Sequence, residues 1–363
     1  MGGEAVSGAA QGAHELEGRR IAVVGLGKSG RGCLAALAGL GRVRLSAWDA
    51  AEDALGGLDA VPLDAAGHSE DPADLASRVL AWKPDVVIPA PAVPETGALF
   101  AAVEGAGVPL WSEIELAWRL RAVDGGEAAP WLCVTGTNGK TTTTGMTASI
   151  LRAAGLGGLA VGNIGAPAVQ AVTQTGPHAP RAFAVELSSF QLRTTHTVSP
   201  LASVCLNVAD DHLEWHGSRE AYWAAKARVY DRVRSARVYP VGDRQVARMV
   251  EGAPAGARTV GVTLGPPSAG QIGLVGDVVA DRAYGAGRPD EAAELFTLQD
   301  LAHLAADPHG RVQCRHRFLE NHRDRVATKP LQFLLGASHE FPACQPDRST
   351  DPGVLGQQAH DGQ

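Results

Sequence analysis

The chain has 363 residues, 45% hydrophobic and 20% charged, which suits two or three globular domains with real cores. No run approaches the ~20 apolar residues of a membrane-spanning helix, and the small, polar N-terminus carries no export signal, so the cytoplasm is the expected compartment. A net charge of −7 argues against coating nucleic acid, and five scattered cysteines form neither a metal spacing nor a disulfide framework.

Residues 1–15 read as a disordered extension. Strand and helix patterns then alternate across residues 16–123, which implies a parallel sheet with crossover helices, a Rossmann-like doubly wound α/β domain. Ile21–Val24 reads as a strand, Ser29–Ala38 as a helix, Val43–Trp48 and Pro84–Ile88 as strands, and Leu99–Ala106 as a helix. Between the first strand and helix lies Gly25-Leu26-Gly27-Lys28-Ser29-Gly30, with Asp49 closing the next strand. This is the spacing of a diphosphate-binding turn: glycines for the tight turn and close approach, an acid for a ribose hydroxyl. Taken alone it points first to an NAD-dependent oxidoreductase, with an ordinary tight turn as the bland alternative; a UDP-sugar satisfies it as well as NAD does.

Residues 124–130 are a turn-rich linker. A second α/β block, residues 131–308, opens on Trp131-Leu132-Cys133-Val134-Thr135, an apolar strand that runs into Gly136-Thr137-Asn138-Gly139-Lys140-Thr141-Thr142. Backbone N–H groups of such a loop and of the helix after it point at a polyphosphate, the lysine adds a point charge, and a threonine hydroxyl can ligate Mg²⁺. ATP or GTP is the expected ligand; a ligand-free glycine turn would need neither the lysine nor the hydroxyls. The spacing is short, with only Thr137 and Asn138 between Gly136 and Gly139. The helix after the loop is expected to pack through Met146, Ile150, Leu151 and Ala154. Further on, Ala182–Val185 reads as a strand ending in the carboxylate of Glu186, placed to hold Mg²⁺ beside the loop. The strand Leu201–Leu206 leads through Asn207 to Asp210-Asp211-His212. A helix over Arg219–Val233 carries Lys226, and Ala236–Val241 is a strand. Residues 309–363 hold five of the twelve histidines, clustered arginines and no clear periodicity; they read as an irregular, solvated tail.

Four segments together resemble the Mur ligases: the short loop Thr135–Thr142, which folylpolyglutamate synthetases share, Gly162-Asn163-Ile164-Gly165, Glu186-Leu187-Ser188-Ser189-Phe190-Gln191-Leu192, and Asn207 through Asp211-His212. The first domain's glycine turn and the Phe190-Gln191-Leu192 wording point to the branch that adds D-glutamate. The resemblance covers roughly residues 16–305 and implies a P-loop ATPase-like α/β central domain. It implies that Gly136 to Thr142 surround ATP, that Lys140 contacts the β/γ-phosphates, that Thr141 and Glu186 hold one Mg²⁺, and that His212 and a carbamylated Lys226 serve a second. Gly27, Lys28, Ser29 and Asp49 would line the UDP pocket, and Asn163 and Ser188 would touch the muramoyl part. The implied catalytic set is Lys140, Glu186, His212 and Lys226. The implied chemistry is amide formation between UDP-N-acetylmuramoyl-L-alanine and D-glutamate through an acyl phosphate, by a monomer. Pro89-Ala90-Pro91, Ala50, Ala51 and Gly310 depart from the family pattern. The tail shows no pattern of the family's C-terminal domain, so a frameshift or truncation near residue 309, with impaired ligation, is expected; a non-catalytic ATP- and UDP-sugar-binding pseudo-ligase is the alternative.

Overall fold

The computed structural model describes residues 14–299 apart from 122, 125, 126, 175 and 285–291. The expectations for residues 1–13 and for the tail fall outside them. His14 and Glu15, expected in the extension, form a helical turn instead. Arg19 donates to the Glu15 carbonyl at 3.0 Å, Arg119 pairs with the Glu15 carboxylate at 3.1 Å, and Leu16 is fully buried.

The first domain runs β1 (Arg20–Val24), α1 (Lys28–Ala38), β2 (Arg44–Asp49), β3 (Ala65–His68), α2 (Pro72–Ala81), β4 (Val86–Pro89), α3 (Ala98–Gly105) and α4 (Glu113–Leu120). Its parallel sheet has the order β3-β2-β1-β4. Ile21 to Val24 and Val86 to Ile88 are all at most 1% exposed, because helices cover both sheet faces and both sides of each strand must be apolar. Two helices start at side-chain caps: Asp71 accepts from Ala73 N before α2, and Ser112 accepts from Glu115 N before α4.

The second domain begins with a short antiparallel hairpin, β5 (Val123–Asp124) and β6 (Glu127–Ala128), where a linker is expected. It continues with β7 (Trp131–Thr135), α5 (Lys140–Ala153), β8 (Leu159–Gly162), α6 (Ala168–Ala171), β9 (Phe183–Glu186), α7 (Ser189–Arg193), β10 (Ala202–Cys205), α8 (Leu213–His216), α9 (Arg219–Ala227), β11 (Ala236–Pro240), α10 (Arg244–Glu251) and β12 (Arg258–Val262). Three more strands follow: β13 (Gln271–Val275), β14 (Val278–Asp281) and β15 (Ala293–Thr297). Among the described residues these make one sheet of order β15-β14-β13-β12-β11-β10-β7-β9-β8, parallel from β8 to β13 with an antiparallel extension. An open apolar groove of about 390 Å³ lies between α5 and the faces of β7, β10, β11 and β12.

Two local expectations are corrected. Helix α5 buries Thr144, Ala148 and Leu151, while Met146 and Ile150 are 62% and 65% exposed. The stripe i, i+4, i+7 from Thr144 meets β8 and β9, and the apolar pair at 146 and 150 lies off it. The helix expected over 219–233 ends at Ala227 and tightens into a 3-10 turn, Arg228–Tyr230, whose Tyr230 hydroxyl accepts from Cys205 N and donates to the Val238 carbonyl.

The domains meet over two buried carboxylates of α4. Glu115 accepts from His196 N, Thr197 N, the Thr197 hydroxyl and Arg119 at 2.6 to 2.9 Å. Burial alone would raise its pKa, and these donors bring it below the ordinary value. Glu113 has fewer partners: Val169 N donates to one oxygen at 2.7 Å and the other oxygen is buried without one. Burial raises its pKa from 4.5 to about 7, against the pull of the Val169 and Ala168 N–H groups. A carboxyl whose folded pKa lies above its unfolded one stabilises below the unfolded value and loses that stability as pH rises through the folded one. Thermal melts of the wild type are therefore expected to fall between pH 4.5 and 7 more steeply than those of Glu113→Gln. Parallel pH profiles for the two would rule this out.

Candidate functional site

Strand β7 delivers the chain to the phosphate loop at the C-terminal edge of the sheet. Gly139 is left-handed (φ 81°), a conformation that a side chain rarely takes, and it opens α5 with no side-chain cap. The N–H groups at that helix start are thus free of a capping side chain, as an anion site needs. Lys140 folds over its own loop: Nζ donates to the Gly136 carbonyl at 3.0 Å and to the Thr137 carbonyl at 2.9 Å. Thr141 and Thr142 are exposed beside it.

The loop is braced by residues that its own sequence does not reveal. Asn207, just past β10, accepts from Asn138 N at 2.8 Å and donates to the Asn138 carbonyl at 3.1 Å, while its own carbonyl accepts from Thr137 N at 3.0 Å. The Thr137 hydroxyl accepts from Ala209 N at 3.0 Å and lies 2.9 Å from the Tyr222 hydroxyl. Asp243 caps α10 by accepting from Gln245 N and Val246 N, and its other oxygen accepts from Val208 N, which fixes the segment carrying Asn207. The detectable signal was an Asn closing a strand that neighbours the loop strand.

Glu186 ends β9, the neighbour of β7, with Val134 and Glu186 in register. The carboxylate therefore stands at the same sheet edge as the loop. It is 1% exposed; one oxygen accepts from Asn163 Nδ2 at 3.0 Å and the other is buried with no partner. A buried, half-satisfied carboxylate is what a cation would complete. Lys226 on α9 is 2% exposed, donates to the Gly136 carbonyl at 2.9 Å and lies 4.8 Å over the Tyr222 ring. Burial, with the nearby Lys140 charge adding, lowers its pKa to about 8. His212 has a left-handed backbone (φ 51°) and a half-exposed ring paired with Asp211 at 3.3 Å. Among the described residues no three His, Cys, Asp or Glu side chains converge as a metal cluster. The loop, Lys140 and Lys226 are joined directly through Gly136, whereas His212 is not joined to Glu186.

In the first domain Gly30 permits close packing of α1 on β1: a Cβ there would meet the Gly25 carbonyl at 2.0 Å. Gly27, Lys28 and Ser29 open α1. Asp49 accepts from Leu26 N at 2.6 Å and from Ala51 N at 3.1 Å, so it shapes the turn as well as leaving lone pairs for a ligand. Lys28 Nζ donates across the domain junction to the Gly165 carbonyl. Asn163 is engaged by Glu186, and the Ser188 hydroxyl caps α7 in a reciprocal box with Gln191. The segment 162–165 thus contacts both the first domain's Lys28 and the Glu186 carboxylate.

Residues 134–266 match the Mur ligase middle domain. The chain is 42% identical over 289 residues to UDP-N-acetylmuramoylalanine--D-glutamate ligase of Streptomyces coelicolor, covering 79% of this chain and 60% of that one. It is 41% identical over 297 residues to the enzyme of that name from Thermobifida fusca, covering 81% and 62%. A solved structure, that of UDP-N-acetylmuramate:L-alanyl-gamma-D-glutamyl-meso-diaminopimelate ligase from Neisseria meningitides, is 19% identical with a TM-score of 0.45, covering 90% of this chain and 99% of that one. The chain spans about 60% of the length of the first two relatives.

Proposed function

We propose that this chain, whose residues 134–266 match the Mur ligase middle domain, is a Mur ligase that binds ATP on the loop Gly136–Thr142 and UDP-N-acetylmuramoyl-L-alanine across its two domains, and that it serves D-glutamate ligation in peptidoglycan precursor synthesis. The observation that carries this reading is the register of β7 with β9, which sets the half-satisfied Glu186 carboxylate at the edge where the phosphate loop begins.

The reaction needs a substrate carboxylate to become an acylating agent. Its oxygen attacks the γ-phosphorus of ATP, the bond to the β-bridging oxygen breaks, and ADP leaves an acyl phosphate. The D-glutamate amine then attacks the acyl carbon and phosphate departs with the electron pair, the amine losing a proton. Lys140, swung off the Gly136 and Thr137 carbonyls, would hold the β/γ-phosphates. The Thr141 hydroxyl and Glu186 would hold one Mg²⁺, which supplies charge neutralisation on the phosphates. His212 and Lys226, the latter as a carbamate, would serve a second ion: an ammonium repels a cation, and a carbamate offers it oxygens. Gly27, Lys28, Ser29 and Asp49 would receive the UDP part, and Asn163 and Ser188 the muramoyl part. Among the described residues no helix is long and apolar enough to cross a membrane. A cytoplasmic location and a monomeric state are part of the proposal and follow the family resemblance.

A second reading is nucleotide and UDP-sugar binding without turnover. ADP release from the purified chain separates the two. Release that requires both UDP-N-acetylmuramoyl-L-alanine and D-glutamate supports ligation, and binding of ATP and substrate without release supports the second reading.

A further inference from the structure

His216, the last residue of α8, lies among three elements and is 4% exposed. Its Nδ1 is 3.1 Å from Glu95 Oε2, and its Nε2 is 2.9 Å from the Ser189 hydroxyl. A carboxylate only accepts, so Nδ1 carries the hydrogen. Burial, against the opposing pull of Glu95, lowers the pKa of this imidazole and so favours its neutral form. Nε2 then accepts from the Ser189 O–H. The order Ser–His–Glu is that of a hydrolytic triad. Ser189, however, is 2% exposed and opens α7, so its hydroxyl meets no substrate.

What the arrangement does is join parts of the site. Glu95 belongs to the first domain, in the segment between β4 and α3, and its second oxygen is paired with Arg193 of α7. Ser189 follows Ser188 and lies three residues past Glu186. Phe190 stacks on the His216 ring at 5.7 Å and meets the His212 ring at a tilt, 4.7 Å away. The Tyr222 ring is 5.4 Å from His216, and its hydroxyl reaches Thr137 of the phosphate loop. One buried imidazole therefore touches the first domain, the helix start beside Glu186, and the side chains that set His212 and Thr137.

We propose that His216 is a positioning residue which, held between Glu95 and Ser189, couples the seating of the UDP-linked substrate on the first domain to the nucleotide loop of the second. The inference rests on the two-ligand reading above. Glu95 and His216 touch neither the loop nor the UDP turn, so their effect is on the coupling between ligands.

Two measurements on the full chain test it. In ¹⁵N-histidine spectra, with the resonance identified by its loss in His216→Asn, His216 is expected as the Nδ1–H tautomer; an Nε2–H tautomer overturns the proposal. In titrations of a non-hydrolysable Mg·ATP analogue, saturating UDP-N-acetylmuramoyl-L-alanine is expected to change the wild-type affinity by about fivefold or more, the lower range of measured coupling. Glu95→Ala and His216→Asn are expected to reduce that change to below twofold with each single-ligand affinity kept, and Glu95→Gln, which retains an acceptor, to restore it. Coupling kept in Glu95→Ala, or absent from a wild type that binds both ligands, overturns the proposal. A wild type that binds neither ligand refutes the functional reading and the coupling with it, while the tautomer separately judges the geometry.

Discussion

Replacing Lys140 by Ala is expected to weaken Mg·ATP binding by roughly a hundredfold. The ammonium already makes two hydrogen bonds, to the Gly136 and Thr137 carbonyls, and its stem opens α5 at the phosphate side. With nucleotide bound, those contacts would be exchanged for phosphate oxygens. A hydrogen bond to a charged group contributes about 1.5–3 kcal/mol, so losing one to two of them amounts to about 3 kcal/mol, or two decades in affinity. The change leaves the fold intact: Lys140 is half-buried, and the brace from Asn207 to Asn138 does not involve it. Fluorescent-nucleotide titration of both proteins measures the difference. An affinity within threefold of wild type would remove the loop from the nucleotide site.

Lys226 gives the second large effect. A lysine with a pKa of about 8 is half neutral at that pH, where an ordinary lysine at 10.5 is almost wholly charged. The neutral amine attacks CO₂; a C–N bond forms, one proton is released, and the carbamate replaces an ammonium beside Lys140 and the loop. Carbamylation is therefore expected to rise with bicarbonate and to need less of it as pH increases from 7 to 9, read by native mass spectrometry. Lys226→Ala is expected to lower Mg²⁺-dependent nucleotide affinity by about tenfold or more, by losing a charged ligand, and a small carboxylic acid is expected to restore part of it. The uncarbamylated amine has its own signature. Its folded pKa lies below its unfolded one, so the cost of holding a buried ammonium is fully present below pH 8 and is relieved between about 8 and 10.5. Nucleotide binding indifferent to both bicarbonate and Lys226→Ala would exclude a role for a carbamate.

Much of this site was legible in the sequence because its signals are local. A strand, a glycine turn and a helix start announce themselves within a dozen residues, and so Lys140, Glu186 and the turn at Gly25–Gly30 could be named in advance. What escaped depends on neighbours distant in the chain. Strand β3, Ala65-Ala66-Gly67-His68, has no β-branched residue and is a strand because β2 offers it a parallel edge. The apolar Met146 and Ile150 looked like a packing face, yet the stripe that meets β8 and β9 belongs to Thr144, Ala148 and Leu151. Tyr222 reads as unremarkable, and Asn207 as the end of a strand within a family-like segment, until the fold brings them to Thr137 and Asn138. Glu95 and His216, 121 positions apart, can be paired only once the two domains are placed together.

The central claim is that one chain holds a nucleotide on the second domain and a UDP-linked muramoyl substrate on the first. Calorimetric titration of the purified protein with Mg·ADP, with UDP-N-acetylmuramoyl-L-alanine, and with NAD tests it directly. One site is expected for each of the first two, both fillable on the same molecule, and no heat from NAD. Saturable NAD binding that displaces the UDP-linked substrate, or no binding of Mg·ADP, would contradict it.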